Sequence, residues 1–378
     1  MGTGKQRNIR MNILILNWKD IKNPDVGGAE IIVFELAKKL IKEGHAVTWF
    51  CREYPSCLNE EWICGIRIIR KGGRLGVYLE ALKYYLSLKN RFDKVIECIN
   101  TLCWQTPLYV SRDKRIVYIN QLAKEVFFYE LPKPFCYAAY FFEKWQYLAY
   151  KNTNFICYAK SVRKDLESFG IKKEKIAIFS LGIDHKRYKP RIKSKNPLFV
   201  FVARLVKMKR ADLCVRAMKS VCQKLPTAKL AIIGYGPETE NIKKLINKLN
   251  LSQNVYLVDK NNLFFSKNVK DEKTKLLQKS WSLLLPSVKE GWGMVVTEAA
   301  ACSTPSIVSN VTGLCDSVID KKTGIILSKS PNETELAEAI LLIAQNSSLR
   351  NQMSLDAFDW SKNFSWEKSY EEFRKLIV

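Results

Sequence analysis

LLLPSVKEGWGMVVTEAAACSTPSIV, residues 283–308, decides the reading of the chain. Residues 281–285 have the apolar run of a short buried strand, 286–293 read as a loop, a helix begins at Met294, and another strand lies near Ser306. Glu290 falls in the loop and Glu298 about one turn inside the helix. Gly291 and Gly293 flank Trp292 just before that helix, where the missing side chains let backbone N–H groups come close to a ligand. Unpaired N–H groups and the helix dipole both favour an anion at such a start, so the stretch suits a phosphorylated ligand. Glu290 would face its reacting end and Glu298 a diol further along. Taken alone, two glutamates at this spacing also describe an ordinary strand–loop–helix unit with a surface carboxylate, so the rest of the chain has to choose.

Working back from this stretch, residues 198–203 are a strand, 204–210 a basic loop, 211–225 a helix, and 229–233 a strand ending in Gly234-Tyr235-Gly236-Pro237. Helices follow at 238–249 and 273–279. Arg204 and Lys209 put two positive charges at the carboxyl end of a strand, the same sheet end toward which the glycine-flanked helix start points. Arg offers a forked donor and Lys a point charge, a combination that fits a diphosphate.

The first half repeats the plan. Residues 11–17 are a strand, 18–26 a polar loop, Gly27-Gly28-Ala29-Glu30 opens a helix, and 47–51 is the next strand. This βαβ order predicts a parallel sheet with ligand loops at the carboxyl ends of its strands. Gly27 and Gly28 serve either a plain tight turn or close approach to a diphosphate. Further strands are expected at 65–69, 94–99, 115–119, 155–159 and 175–179, with a helix at 161–169 capped by Ser161. Arg67, Arg70, Lys71 and Arg74 cluster around Gly72-Gly73, either as a solvated loop or as a surface for an anionic acceptor or headgroups. Residues 126–150 are the most aromatic segment. Pro132, Lys133 and Pro134 interrupt it too often for a membrane span, so it reads first as a buried core helix and second as a lysine-flanked surface dipping into a membrane interface. The basic, proline-containing run after Asp184 is a linker by composition. It divides the chain into 1–185, 186–360 and a terminal helix at 361–378.

At 378 residues the chain exceeds the usual span of a single core, and 47% hydrophobic with 26% charged residues is an ordinary globular balance. The net charge of +25 is not ordinary and calls for an anionic partner: phosphorylated substrates, an anionic membrane face or nucleic acid. Eleven cysteines without a CxxC pair fit a reducing compartment, and two histidines, His45 and His185, are too few for a His-based metal site. Gly2 lacks the Ser or Thr that N-myristoylation needs, because position 6 is Gln6. No stretch reaches the roughly 18 apolar residues of a membrane-spanning helix. The expectation is a cytoplasmic protein, with the cytoplasmic face of a membrane as a further possible location.

With these pieces in place, the chain resembles the retaining glycosyltransferases of family 4, glycosyl transferases group 1, whose GT-B architecture is two Rossmann-like α/β domains facing a central cleft. The matching pieces are GGAE at 27–30, LGID at 181–184, ARLVKMKRAD at 203–212 and IIGYGP at 232–237. To these are added PSVKEGWGMVVTEAAAC at 286–302, Thr323-Gly324, and FSWEKSYEEF near the end, which resembles the family's terminal helix. The resemblance implies that this helix returns to the N-terminal domain. It implies catalytic roles for Glu290, Arg204, Lys209 and Asn120. It implies donor binding by Gly27, Gly28, Arg204, Lys209, Gly234, Glu290, Gly291, Trp292, Gly293, Met294 and Glu298. Arg204 and Lys209 would hold the donor diphosphate, Glu290 the sugar hydroxyls and Glu298 the ribose. Neither metal nor cofactor is implied, and the partners it implies are a nucleotide-sugar donor and a glycan or lipid-linked acceptor; the aromatic segment and the charge add peripheral contact with anionic membrane as a hypothesis, and no nucleic acid is expected. Many relatives carry a His where this chain has Asn120, which can hydrogen-bond a hydroxyl but cannot serve as a general base. Ala203, Arg210 and Ser303 also stand where the family usually has Gly. A GT-B sugar-nucleotide epimerase and a basic nucleic-acid binder are the alternatives, although no aromatic-basic RNA motif or zinc finger appears. A dinucleotide oxidoreductase is disfavoured, because no GxGxxG follows the first strand.

Overall fold

The structure, a computed structural model, describes residues 10–258 and 267–377. Gly2 and Gln6 lie outside these residues. Among the described residues, the strands of the first sheet are β1 (Asn12–Leu16), β2 (Ala46–Cys51), β3 (Glu60–Ile63), β4 (Ile66–Arg70), β5 (Lys94–Ile99), β6 (Arg115–Ile119), β7 (Phe155–Cys157) and β8 (Ile176–Ile178). The second sheet holds β9 (Leu198–Val202), β10 (Lys229–Ile233), β11 (Val255–Leu257), β12 (Ser282–Leu285), β13 (Ser306–Ser309) and β14 (Gly324–Leu327). Near-continuous runs of Ile, Leu, Val and Phe make these strands, because a parallel sheet is covered by helices on both faces. Ile13, Leu14, Ile15 and Leu16 are all buried, as are Phe199, Val200 and Phe201.

The strand orders are β3-β4-β2-β1-β5-β6-β7-β8 and β11-β10-β9-β12-β13-β14. All pairs are parallel except β3–β4. Each sheet therefore reverses its winding at one place, between β1 and β5 in the first and between β9 and β12 in the second. In an open α/β sheet the crevice beyond the strand ends at that reversal is where ligands bind. The chain is a GT-B fold of two Rossmann-like domains.

The terminal helix Trp366–Ile377 returns to the first domain. Phe373 packs on Phe179 with ring centroids 5.8 Å apart, Glu367 lies 3.4 Å from Lys39, and Arg374 lies 3.1 Å from Glu43. Gly182 allows the crossing, since a Cβ there would overlap the Trp366 indole.

Three expectations need correction. The aromatic helix Phe135–Gln146 is not a core helix: Phe141 and Trp145 are 68% and 73% exposed, while its polar Glu143 and Gln146 are buried. Those two point inward because they accept backbone N–H groups that no secondary structure pairs, from Ala123 and Lys124 onto Glu143 and from Cys103 onto Gln146. The arginine cluster is not one surface. Arg70 is fully buried between Asp20 and Glu61, 2.7 Å from each, and Arg67 is bound to Glu60; Lys71 and Arg74 remain exposed. Ser161 does not cap its helix, Lys160–Ser168; that start is capped from the second domain, where Asp316 accepts from the Ser161 N–H at 2.8 Å and from its hydroxyl.

One buried carboxyl anchors the connection after β5. Glu97 is wholly buried and accepts from the Trp104 N–H at 2.8 Å, the Tyr150 hydroxyl at 2.5 Å and Thr106. Burial raises its pKa from 4.5 to about 7 against the lowering effect of these hydrogen bonds. A carboxyl raised in the folded state binds its proton there first, so its contribution is complete below pH 4.5 and lost as pH climbs through about 7. Relative to Glu97→Gln, the wild type should lose about 3 kcal/mol across that window. Urea unfolding of both proteins at several pH values measures this, and parallel pH profiles would contradict it.

Candidate active site

The winding reversal in the second sheet brings two loops together. The turn after β9 (residues 203–210) and the loop after β12 (286–293) are joined by a hydrogen bond from the Val288 N–H to the Met208 carbonyl at 2.8 Å. Lys209 on the first loop meets Glu290 on the second, Nζ to Oε1 at 2.5 Å, and the Ser287 hydroxyl donates to the same oxygen at 3.1 Å. Both side chains are mostly buried but keep access to the cleft.

Arg204, on the same loop as Lys209, is exposed and has no carboxylate partner among the described residues. Facing it from the first domain is Lys19, which donates to the Asp25 carbonyl at 2.6 Å and lies 3.7 Å from Glu30. Burial lowers the Lys19 pKa; Glu30 raises it, and the charge of Arg204 lowers it further. Two cations held near each other across a cleft, one of them lacking an anion, make a site that an anionic ligand would neutralise. The loop after β1 has its own anchors. Glu30 accepts from the Gly27 N–H at 2.7 Å, one half of a capping box whose other half Gly27 cannot supply for want of a side chain, and lies 3.7 Å from Lys19 at the start of Gly28–Lys42.

The two helix starts oppose each other. Gly28 lies so close to Met294 that a Cβ on it would sit 2.9 Å from the sulfur. Gly293 caps Met294–Ala301 with φ +81, a left-handed conformation that glycine adopts without strain. Gly291 abuts Asn120 at the end of β6, where a Cβ would overlap the amide oxygen. Asn120, Gly291 and Glu290 thus share the seam between the domains. Glu298 lies further along the helix, bridged by Lys273 at 2.7 Å, and Lys273 rests over the Tyr188 ring. The Trp292 side chain turns away from the cleft, 7% exposed and packed edge-on against Phe364, so its part here is its backbone.

Gly234 has a different task. A Cβ there would overlap the Ala203 carbonyl oxygen, so its place is fixed by contact between the ends of β10 and β9. The glycine that the family usually has at two positions acquires a cause: Arg210 and Ser303, which replace it here, both have φ +56, the conformation that favours Gly. Arg210 is held there by a hydrogen bond from its guanidinium to the Pro331 carbonyl at 3.1 Å.

Sequence reasoning missed Lys19, Lys273 and above all Lys289. Lys289 is 2% exposed, and its ammonium lies 2.8 Å from Asp165 and 3.2 Å from Glu125, both in the first domain. Asp165 is shared with Lys124 at 2.8 Å and with the Thr312 hydroxyl at 3.0 Å. The signal for Lys289 was its place in an otherwise apolar and glycine-rich stretch.

Matches to known proteins agree with this architecture. Residues 26–187 match the model of Glycosyltransferase Family 4, and residues 182–360 that of Glycosyl transferases group 1. The chain belongs to the group 1, family 4-like glycosyltransferases of GT-B fold. It is 30% identical over 237 residues to an uncharacterized glycosyltransferase of Methanocaldococcus jannaschii, covering 63% of this chain and 62% of that protein. Matches to the first curated relatives span 62%, 50% and 52% of their lengths. Among solved structures, sucrose-phosphate synthase from Thermosynechococcus elongatus superposes with a TM-score of 0.78 at 20% identity, over 97% of this chain and 98% of that one. Anabaena HepE in complex with UDP and glucose gives 0.74 at 14% identity, over 97% and 99%. At these identities the likeness is one of fold.

Gly234→Ala tests the packing argument. Forcing a methyl against backbone should cost about 1–3 kcal/mol, read as a lowered thermal midpoint with or without ligand. An unchanged midpoint would return Gly234 to a purely binding role.

Proposed function

We propose that the chain is a retaining glycosyltransferase that moves a hexose-type sugar from a nucleoside diphosphate sugar to a glycan or lipid-linked acceptor. The observation that carries this is the grouping of Lys209, Glu290 and Arg204, which has no carboxylate partner among the described residues, beside a glycine-led helix start at the winding reversal of the second sheet. The solved HepE complex holds UDP and glucose on the same fold. In this reading the diphosphate lies against Arg204, Lys209 and the N–H groups after Gly293, with Lys19 and Gly28 closing from the first domain. Glu290 leaves Lys209 partly free to meet the phosphate while its carboxylate accepts from the sugar hydroxyls. Glu298 accepts from the ribose diol.

The bond from the anomeric carbon to the distal phosphate oxygen breaks as the acceptor oxygen bonds that carbon from the same face. The acceptor proton passes to the departing phosphate oxygen, so the nucleoside diphosphate leaves protonated and the sugar keeps its configuration. Arg204, Lys209 and the helix start stabilise the growing negative charge, which is where fixed dipoles and cations are most effective. Asn120 hydrogen-bonds a sugar hydroxyl and takes no proton. The reading assigns neither metal nor cofactor, and places the reaction in the cytoplasm.

A thermal-shift panel of sugar nucleotides, followed by NMR of the product's anomeric configuration, tests it; an inverted product would overturn the same-face route. Lys209→Ala should weaken donor binding by roughly 10- to 100-fold in calorimetry, the value of a charged hydrogen bond. Glu290→Ala should lower kcat by roughly 100-fold or more with the thermal midpoint little changed. Normal turnover in that variant would remove Glu290 from the site.

A further inference from the structure

The helix Phe135–Gln146 and the turn after it are arranged in reverse. Phe135, Phe141, Phe142, Trp145 and Leu148 are 66%, 68%, 56%, 73% and 57% exposed and recur along one face, while Glu143 and Gln146 are buried opposite. Exposed Phe128 and Tyr137 stack edge to face at 5.3 Å at its start. The patch continues sideways: Gln105 donates to the Gln146 carbonyl at 3.2 Å, and the same turn carries Leu108, 75% exposed. A single exposed apolar side chain is ordinary, but a contiguous aromatic face of this kind marks an interaction surface.

Charge identifies the occupant. Lys133, Lys144 and Lys151 are exposed around the patch, and Glu143, the only carboxylate between Leu131 and Lys151, is turned inward. A second copy would set these lysines against one another on a chain of net charge +25. An anionic bilayer satisfies both halves, apolar face into the acyl boundary and lysines at the headgroups, with Trp and Tyr at the level they favour. No helix among the described residues is long and apolar enough to cross a membrane, so this one lies in the interface.

We propose that this face docks the protein on an anionic lipid surface and thereby seats the mouth of the cleft at the lipid. The same segment reaches the donor site: Glu130 accepts from the Met208 N–H at 3.2 Å, within the turn that carries Lys209, and Tyr129 lines a cavity of about 560 Å³ together with Lys207 and Arg210. Docking thus holds the diphosphate-facing turn from its outer side. Insofar as it brings a lipid-linked acceptor to the cleft, the inference rests on the transfer reading above; the docking itself does not.

The test is co-sedimentation with phosphatidylcholine vesicles, with and without phosphatidylglycerol, in the absence of sugar nucleotide. The wild type should partition onto the anionic vesicles roughly tenfold or more above the neutral ones. Replacing Phe141, Phe142 and Trp145 by Ser should abolish binding while donor affinity stays unchanged, because none of the three touches the donor cleft. K133E with K144E removes no apolar surface and should erase only the preference for anionic lipid. A wild type that remains in the supernatant, or a triple-Ser variant that pellets like it, would overturn the proposal. Sedimentation equilibrium showing a dimer that the Ser variant dissolves would give the face to a second copy instead. Failure of the wild type to bind any sugar nucleotide would sink the transfer reading and leave vesicle binding as measured.

Discussion

The ammonium of Lys289 is the point on which the site depends. It is buried between two carboxylates of the first domain, yet it belongs to the second and is the chain neighbour of Glu290. Burial pushes the Asp165 carboxyl up, but Lys289 and Lys124 outweigh that and hold it below its ordinary range. A buried ion pair contributes little net stability, because desolvation offsets its attraction; removing one partner is what costs, about 3–5 kcal/mol. The bridge therefore fixes geometry more than it adds stability. With Ser161 and Asp316 on one side and Asn120 against Gly291 on the other, it sets the separation of the domains across which a ligand must fit.

That constraint was beyond the reach of the sequence, for a physical reason. Lys289 and Asp165 are 124 positions apart, and neither residue type announces a partner at such a distance. What could be read were local matters: apolar runs for β1, β9 and β12, glycines where backbone must pass close, and Arg204 and Lys209 at a strand end. The short edge strands β3, β11 and β14 escaped the sequence reading. The aromatic helix departs from its expected burial because apolar composition alone does not decide which face turns inward. The loop amides of Ala123, Lys124 and Cys103 needed acceptors, and this requirement decided which face turned inward.

Arg210 and Ser303 carry the same lesson in smaller form. Their departure from the family's glycine is visible in the chain, but its cost lies in φ, which composition does not show. A non-glycine residue in the left-handed region costs roughly 1–2 kcal/mol. Arg210 recovers part of this through the hydrogen bond from its guanidinium to the Pro331 carbonyl.

If both proposals hold, the charge of +25 serves two functions with different ranges. Lys19 and Lys209, whose side chains are mostly buried, would act over a few ångströms where screening is weak, while exposed Arg204 is screened more. The lysines around the aromatic face act at the protein's surface, over about a Debye length of 8–10 Å, and lose effect as salt rises. On the two proposals above, the buried cations would retain a diphosphate at ionic strengths that already loosen the surface lysines. Donor binding and surface attachment would therefore be separable by salt, although Glu130 and the Met208 N–H join the two regions through one turn of chain.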